Sequence, residues 1–247
     1  MSGMDVRHAL QHLRSVLGFP SVTRMVCLAN SRKYGGHCVA GKLLRTDGGS
    51  GWVRPVSARQ TGELGEHERC YRGNREPQVL DIIDTPLLWP HPHTYQTENW
   101  RLDTHWRPHH VGRLRYDELA AIADDPPLLW LNRDSSKSGL HDRVDVSAAA
   151  LLSSSLYLIH VREVGLQLFT TGTPQGELKR RMQAAFTHRD VSYHLWVTDP
   201  AFEARYVASP DGPFAMGDCY LTVSLGEPFE GYSYKLVAAV IDPQAAL

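Results

Sequence analysis

The chain has few cysteines, no excess of either charge and no long apolar run. Its 247 residues include four cysteines, Cys27, Cys38, Cys70 and Cys219, and none of them forms the C-x-x-C spacing of a zinc ribbon or a redox pair. The formal net charge of −1 argues against a uniformly basic nucleic-acid-binding protein. Because no signal peptide and no run of about 18 apolar residues occurs, we expect a soluble cytoplasmic protein with no membrane partner.

Catalytic and cofactor-binding motifs are also missing. The sequence contains no G-x-S-x-G, no G-x-x-x-x-G-K-[ST] and no H-E-x-x-H. Residues 172–176 indicate a turn and not a phosphate loop. Asp199 stands directly before Pro200, which favours a helix N-cap over a catalytic role. The sequence therefore predicts no catalytic residue and no cofactor.

What is present is typical of a globular β protein. Hydrophobic residues make up 42% of the chain and charged residues 21%, which is enough to build a core. Residues 5–17 place apolar side chains at helical spacing, so we predict an N-terminal amphipathic helix. Short apolar runs bounded by turn residues follow, and they predict strands at residues 23–29, 37–44, 52–57 and 78–85. We expect Pro86 to end the last of these, residues 58–76 to form a loop, and residues 91–112 to be irregular.

The second half repeats this pattern. Strands are predicted at residues 155–164, 165–170, 182–187, 191–197, 220–225 and 234–241. The first two are predicted to pair with each other, and 182–187 is predicted to pair with 191–197 around a turn at 188–190. Short helices are predicted at residues 116–123 and 200–206, and the polar residues 132–147 indicate a linker. Each half thus has roughly five strands, four in the first and six in the second, and one interposed helix, which is close to the content of an OB-type Greek-key barrel.

Six segments carry a resemblance when they are taken together. They are L-A-N-S-R-K-Y-G-G-H-C-V-A-G-K at residues 28–42, W-V-R-P-V-S at 52–57, Q-T-E-N-W at 96–100, V-T-D-P at 197–200, L-T-V-S-L-G-E at 221–227 and Y-K-L-V-A-A-V-I at 234–241. In combination they resemble the bacterial dual OB-containing domain family over residues 22–242. This resemblance implies a mostly β fold with a few short helices, a role in binding nucleic acid, and a setting in bacterial defence.

The predicted organisation follows from the pattern and the resemblance together. We expect two tandem OB-like Greek-key barrels and an N-terminal helix. The predicted boundaries are an N-terminal helical extension at residues 1–21, a first OB-like domain at 22–131, a linker at 132–150 and a second OB-like domain at 151–247.

Charge is distributed unevenly along the chain. Residues 1–75 contain twelve Lys or Arg against five Asp or Glu, whereas residues 76–247 contain fourteen against twenty-two. A basic first third can attract a polyanion. The alternative is that these cations are scattered and only solvated.

The segment between the first two strands is the strongest candidate site. It places Arg32, Lys33 and Tyr34 beside two glycines and His37. Arginine can fork onto phosphate oxygens, and a tyrosine ring can stack on a base. We therefore predict a single-stranded nucleic-acid-binding site here, in the first inter-strand loop of a barrel. The alternative is an exposed hairpin whose glycines only make the turn.

Further cations and an aromatic residue extend this prediction. Trp52 and Arg54 share one strand face, and Lys42 and Arg59 add positive charge on either side of them. The alternative places Trp52 in the core and pairs Arg54 with a carboxylate. Tyr71 with Arg69, Arg72 and Arg75 extends the basic loop.

A histidine cluster is the main competing signal. His91, His93, His105, His109 and His110 lie close together in sequence, and Glu98 and Asp103 are nearby. Imidazole and carboxylate groups bind zinc, but this spacing matches no zinc motif. We predict no metal site and leave metal binding by residues 91–110 open.

Three functions are compatible with these sequence features. The leading one is a binding module for single-stranded DNA or RNA. The second is a protein-interaction adaptor of a multi-component defence complex, for which a protein partner is expected. The third is a nucleic-acid-processing enzyme that uses the region of Arg32, Lys33, His37 and Glu63, although no catalytic signature supports it.

Overall fold

The fold is mostly β with a few short helices, as the sequence predicts. The computed structural model describes residues 21–44, 51–172 and 178–246. The predicted helix at residues 5–17, and most of the glycine-rich turns at 47–51 and 172–176, lie outside the described residues. None of the described helices has the length and apolar character needed to cross a lipid bilayer.

The first barrel is a closed five-stranded ring. Its strands are β1 (Ser21–Lys33), β2 (Gly36–Leu43), β3 (Trp52–Val56), β4 (Asp81–Pro90) and β5 (Asn99–Leu102). The spatial order is β1-β2-β3-β5-β4, and β1 closes the ring because it pairs with β2 along one part of its length and with β4 along another. The pair β3–β5 is parallel. Strand β6 (His109–Arg113) pairs with β4 outside this ring.

The apolar run in β1 explains how this barrel is buried. Residues Met25–Ala29 are all buried. Met25 and Cys27 pack inside the first barrel, whereas Val26 and Leu28 pack against residues of the second. Alternate side chains point to opposite faces of a strand, so a strand covered on both faces has no polar alternation.

The second barrel has the same arrangement with a divided first strand. Its strands are β7 (Arg143–Asp145), β8 (Leu156–Val161), β9 (Val164–Gly172), β10 (Leu178–His188), β11 (Val191–Val197), β12 (Gly212–Met216), β13 (Cys219–Phe229) and β14 (Tyr232–Ile241). The pair β11–β14 is parallel, as β3–β5 is in the first barrel. Strand β8 pairs with β13, whereas β9 pairs with β10 on one side and with the edge strand β12 on the other, so the two residues between β8 and β9 join strands that are far apart in the order of the sheet.

Short helices connect these strands. They are α1 (Glu66–Arg69), α2 (Val146–Ala149) and α3 (Pro200–Ala204), with 3₁₀ turns at Tyr116–Ala121 and Pro243–Ala246. Asp199 caps α3, because its carboxylate accepts a hydrogen bond from the Phe202 amide at 3.0 Å. Its other oxygen accepts from the Val240 amide of β14 at 3.1 Å. The predicted N-cap is confirmed. Residues 132–150, predicted as a linker, include β7 and α2, and β7 pairs with β14.

Three details of the strand prediction are wrong. Strand β4 continues through Pro86 to Pro90. Proline is tolerated there because the residues of an antiparallel strand bond to a given neighbour only at alternate positions. The Pro86 carbonyl still accepts a hydrogen bond from the Asp103 amide. Strands β8 and β9 do not pair with each other but with β13 and β10. The segment 91–112, expected to be irregular, contains β5 and most of β6.

An apolar face joins the two barrels. Val26, Leu28 and Leu80 of the first barrel form one buried cluster with Leu158 and Ile241 of the second. The Thr222 hydroxyl donates a hydrogen bond to the Leu28 carbonyl at 2.6 Å, and the Arg32 amide donates to the Thr198 carbonyl at 2.9 Å. The barrels are therefore held together by an apolar contact with hydrogen bonds along it.

Asp124 is the polar centre of this junction. Its carboxylate accepts hydrogen bonds from the Lys42 ammonium at 2.5 Å, the Trp52 indole at 3.0 Å and the Leu158 amide at 2.8 Å. Its own amide donates to the Leu158 carbonyl. One carboxylate thus connects β2 and β3 of the first barrel to β8 of the second.

We expect Asp124→Ala to lower the free energy of unfolding by roughly 3 kcal/mol, because the buried Lys42 ammonium loses its carboxylate partner. Urea denaturation checks this. The neighbouring Asp125 pairs with Arg189 at the surface, so Asp125→Ala serves as the control and leaves the free energy of unfolding nearly unchanged. Equal destabilisation by the two substitutions would contradict the role assigned to Asp124.

Candidate nucleic-acid interface

The β1–β2 hairpin presents its tip to solvent, but its cations are paired. Tyr34 occupies the turn in the left-handed region at φ 49°, and its side chain is 71% exposed. The Arg32 guanidinium pairs with Glu203 of α3, and the Lys33 ammonium lies 2.6 Å from Glu227 Oε1. The Tyr34 hydroxyl donates to the other oxygen of Glu227 at 3.3 Å. The positive charge of the hairpin is therefore largely neutralised by the second barrel.

His37 is not a cation at neutral pH. The Asn30 amide nitrogen donates to Glu76 and to the Pro77 carbonyl, so the Asn30 oxygen faces His37 Nδ1 at 2.7 Å. His37 Nδ1 must then carry the proton. Burial lowers the pKa of His37, and the nearby Arg69 charge lowers it further. His37 thus acts as a neutral hydrogen-bonding group and not as a phosphate ligand.

Lys42, Trp52 and Arg54 lie between the barrels. Lys42 is 2% exposed, and its ammonium is 5.4 Å from the centre of the Trp52 ring. Arg54 is 3% exposed and donates to Ser155 Oγ at 2.8 Å, with Glu98 Oε1 3.0 Å away. These three side chains have protein partners, and Lys42 and Arg54 are buried whereas Trp52 is partly buried.

The eight predicted residues therefore do not share one open surface. Arg59 lies on the segment after β3, where it pairs with Glu68 and donates to the Glu63 carbonyl at 3.0 Å. A cleft between the barrels, which we call the inter-barrel cleft, brings four of the eight together: Arg32, Lys33, Tyr34 and Arg54. Trp52, Lys42, His37 and Arg59 do not line it.

A second concave surface carries more unpaired positive charge. Because β3 and β5 are parallel, the segments that follow them, residues 57–80 and 103–108, leave the first barrel at the same end. Between them lies a groove of about 730 Å³, the arginine–histidine groove, which is lined by His67, Tyr71, Arg72, Arg75, His105, Trp106, Arg107, Pro108, His109 and His110. No carboxylate is among these lining residues.

The three groove arginines keep their charge. Within the described residues, none of Arg72, Arg75 and Arg107 has a carboxylate at ion-pair distance, unlike Arg32 or Arg59. The Arg107 guanidinium is held by neutral groups instead: it donates to the Tyr71 carbonyl at 3.2 Å, to Asn74 Oδ1 at 3.0 Å and to His67 Nδ1 at 2.9 Å. This arrangement fixes the position of Arg107 without neutralising it.

Aromatic rings stand beside these cations. The Trp106 side chain is 59% exposed. The Arg75 guanidinium lies 4.8 Å from the centre of the Tyr71 ring, and the centre of the His110 ring is 5.6 Å from it. An exposed indole and a stacked cation are the groups on which unpaired bases stack.

Two carboxylates that do not line the groove hold two of its rings in position. Asp81 is buried and accepts from the Tyr71 hydroxyl at 2.8 Å and from Arg113 at 2.9 Å. Burial and the charges of the surrounding acidic groups raise the pKa of Tyr71 far above its usual value, so the phenol stays protonated and donates to Asp81. Asp103 accepts from the amide and the Nδ1 of His105. These bonds orient the ring of Tyr71 and that of His105.

The histidine cluster does not form a compact ligand set. Across the described parts of the chain, no three His, Cys, Asp or Glu side chains converge closely enough to hold a metal ion. His91 contacts Arg101, and His105 contacts Asp103. The described histidines of residues 91–110 are thus spread over separate contacts.

Comparison with known protein families gives one match. The model of the dual OB-containing domain matches residues 23–240, which is most of the chain. The chain belongs to this family. The match to the family model agrees with the resemblance found in the sequence, and so do the two barrels, each of which contains one parallel strand pair. A search of curated proteins found no match to the chain.

Sequence reasoning finds the parts of the groove in this dual OB protein but not the groove itself. Tyr71, Arg72 and Arg75 enter the sequence prediction as an extension of the basic loop, and the neighbouring histidines enter it as a zinc alternative. Trp106 and Arg107 are not part of that prediction. The sequence feature that could have indicated them is H-W-R-P-H-H at residues 105–110, in which an adjacent aromatic residue and cation have histidines on both sides.

We expect His37 to titrate below the 6.5 of an unperturbed histidine, because burial and the charge of Arg69 disfavour its protonated form. The folded state then binds this proton less tightly than the unfolded chain does. His37 contributes stability at pH values above 6.5, and this contribution is lost as the pH falls toward the folded pKa. Histidine ¹⁵N NMR titration measures the midpoint, and His37→Gln assigns the signal. The midpoint should rise to the ordinary value in urea, and a midpoint above 6.5 in the folded protein would contradict the assignment.

Proposed function

We propose that this dual OB protein binds single-stranded nucleic acid in the arginine–histidine groove. The observation that carries the proposal is the set of three arginines and an exposed tryptophan in one groove that no carboxylate lines. OB-type barrels bind oligonucleotides through the loops at their strand ends, and this groove lies between two such segments.

Phosphate binding is the first part of the proposal. Guanidinium groups offer a fork of donors that matches phosphate oxygens. Arg72 and Arg75 are exposed, and Arg107 is already positioned by neutral acceptors. Since no carboxylate has to be displaced, a phosphate gains the full attraction of these charges.

Base stacking is the second part. Trp106 is exposed, and the exposed Arg75 guanidinium lies against the buried ring of Tyr71, so the indole and the guanidinium are the flat surfaces available in the groove. Bases in a duplex are already stacked on their neighbours, so these surfaces favour a single strand. Every base has a π-face, and we therefore expect little dependence on sequence.

The hairpin predicted from the sequence is the weaker candidate for the same function. A phosphate at Arg32 or Lys33 competes with Glu203 or Glu227. Burial raises the pKa of Glu203, while the Arg32 charge acts in the opposite direction. The pair stabilises both members, and a strand that binds here must replace that interaction.

The wider setting is also a proposal. The four cysteines are free thiols, which suits a reducing compartment such as the cytoplasm. Binding through phosphates and stacking tolerates any sequence, which suits a defence role against foreign strands. A protein partner in such a system would use surface outside the groove.

The charge in the groove is tested by making Arg72→Ala and Arg75→Ala together. We expect weaker binding of a labelled single-stranded oligonucleotide, and a plot of log K against log salt whose slope is smaller by roughly 1.4, since each phosphate contact on a single strand contributes about 0.7. Fluorescence anisotropy at several salt concentrations measures both quantities. Arg24→Ala with Arg115→Ala is the matched control, because each of these exposed arginines pairs with an aspartate outside the groove.

A third variant separates the groove from the hairpin. Arg32→Ala with Lys33→Ala removes the same formal charge from the hairpin and is expected to leave oligonucleotide binding nearly unchanged. If this variant loses binding and the groove variant keeps it, the site is the hairpin. If wild-type protein shows no salt-sensitive binding at all, the proposed function fails.

The stacking surface is tested by Trp106→Ala. We expect a loss of about 1–3 kcal/mol in oligonucleotide binding free energy if one base stacks on this ring. Trp89→Ala is the control, since Trp89 is also exposed but lies on β4 and does not line the groove. Anisotropy titration at one fixed salt concentration compares the two, and an equal effect of both would argue against stacking on Trp106.

A further inference from the structure

The inter-barrel cleft is separate from the arginine–histidine groove, because the two share no lining residue. Its volume is about 320 Å³, at the lower end of the roughly 300–1,000 Å³ typical of small-molecule sites. Small aliphatic side chains of both barrels form its walls, namely Ala29, Ala40, Leu156, Leu225, Leu236 and Ala238. A flat ligand of modest size fits here, and it would touch both barrels at once.

Aromatic rings surround the entrance. Tyr34 projects from the β1–β2 hairpin and Phe229 from the β13–β14 hairpin, and both side chains are exposed. The Tyr234 ring lies 6.5 Å from that of Phe229. All three residues line the cleft. A planar heterocycle that enters between the barrels therefore lies near aromatic side chains of both barrels.

The cleft is also lined by an amide whose nitrogen has no acceptor among the described residues. The Arg54 guanidinium can only donate, and it donates to Asn99 Oδ1 at 3.2 Å. The Asn99 amide nitrogen then donates to Gln96 Oε1 at 3.2 Å. This chain of bonds fixes the Gln96 amide so that its nitrogen remains free.

The free donor of Gln96 points to a ligand. Gln96 is 5% exposed and lines the cleft. No described residue accepts a hydrogen bond from its amide nitrogen, and this atom is not among the fully enclosed polar atoms of the described residues, so it is accessible to a ligand in the cleft. A ring nitrogen or carbonyl on the edge of a heterocycle would supply one.

Charged groups at the entrance complete the set. Glu227 uses one carboxylate oxygen for Lys33 and the other for Tyr34, and each oxygen retains a further lone pair. A carboxylate of this kind accepts hydrogen bonds from ribose hydroxyls. Lys33 has two unused donors, and Arg32 stands next to it, so a phosphate group finds cations beside the carboxylate.

We propose that the inter-barrel cleft binds a free ribonucleoside monophosphate. The base lies between the barrels against the aromatic rings and accepts from the Gln96 amide. The ribose hydroxyls donate to Glu227, and the phosphate contacts Lys33 and Arg32. This site is independent of the groove, because the two share no lining residue and the groove is proposed to bind a strand and not a single nucleotide.

Isothermal titration calorimetry of the full chain tests the site. The probes are the four ribonucleoside 5′-monophosphates, their 2′-deoxy counterparts, ribose 5-phosphate and inorganic phosphate. We expect at least one ribonucleotide to bind with 1:1 stoichiometry, its 2′-deoxy counterpart to bind at least tenfold more weakly, and inorganic phosphate not to bind.

Three variants assign the contacts. Gln96→Ala should weaken ribonucleotide binding at least tenfold. Glu227→Gln should bring the ribo and deoxy forms within about threefold of each other. Tyr34→Asn removes the aromatic ring and should also weaken ribonucleotide binding. Asparagine tolerates the left-handed backbone at this exposed turn, so this variant still tests the site if Gln96→Ala does not fold. The double variant of Arg72 and Arg75 is the control and should bind the ribonucleotide as wild type does.

Protection of Cys38 gives a second readout. Cys38 is half-buried in the cleft, whereas the other three cysteines are fully buried and burial raises the pKa of Cys70 to about 11 and that of Cys219 to about 12. Iodoacetamide should therefore modify Cys38 first, and a bound ribonucleotide should slow this reaction.

The proposal is overturned if no ribonucleoside monophosphate binds at millimolar concentration, or if binding survives Tyr34→Asn. It is also overturned if Tyr34→Asn abolishes oligonucleotide binding while no mononucleotide binds, because the cleft would then be part of a strand path. Loss of oligonucleotide binding in the groove variant with ribonucleotide binding intact supports both sites separately.

Discussion

The apolar contact between the two barrels is the constraint on which the rest of the structure depends. It buries one face of each barrel, including Val26 and Leu28 of β1 and Leu158 of β8. A charge enclosed by such a contact must be paired, because an unpaired buried ion costs several kcal/mol. The Lys42–Asp124 and Arg54–Glu98 pairs satisfy this condition. The same packing brings the two hairpins of the inter-barrel cleft together.

The packing of the two barrels offers a second explanation for the uneven distribution of charge along the chain. The positive excess of residues 1–75 suggests a polyanion as partner. In the folded protein, several of these cations pair with carboxylates from later in the chain, as Arg32 does with Glu203 and Lys33 with Glu227. Charge counting along a sequence cannot separate an external ligand from an internal partner. The groove arginines are informative because their surroundings contain no such carboxylate.

Local patterns predict much of the fold, and non-local pairings explain what they miss. The hairpin of β10 and β11 and the cap at Asp199 follow from neighbouring residues, and the sequence predicts both. The family resemblance supplies the two-barrel architecture. The parallel β3–β5 pair joins residues about 45 positions apart, and no local pattern indicates it. Strand β5 is short and lies within a segment rich in His and Pro, so its apolar signal is weak.

The candidate site is harder to predict for the same reason. Tyr71 and Trp106 lie far apart in sequence, and only the parallel pair brings their segments to one end of the barrel. Lys42 and Trp52 bond to Asp124 and Arg54 bonds to Ser155, so their partners come from 72 to 101 positions later in the chain and no local pattern indicates them. Each residue type is recognisable in the sequence as capable of binding nucleic acid. Their accessibility is a property of the assembled fold.

The two concave sites differ in how they hold their cations, and this difference decides what each can bind. In the groove, Arg107 is oriented by carbonyl, amide and imidazole acceptors, so its charge remains available over a distance of several ångströms. A polyanion with many phosphates gains from such charges together. In the cleft, Lys33 shares its charge with Glu227, so the net attraction for an anion is small. The ligand that we propose for the cleft offers hydroxyl donors as well as a phosphate, and this combination fits a single nucleotide better than a strand.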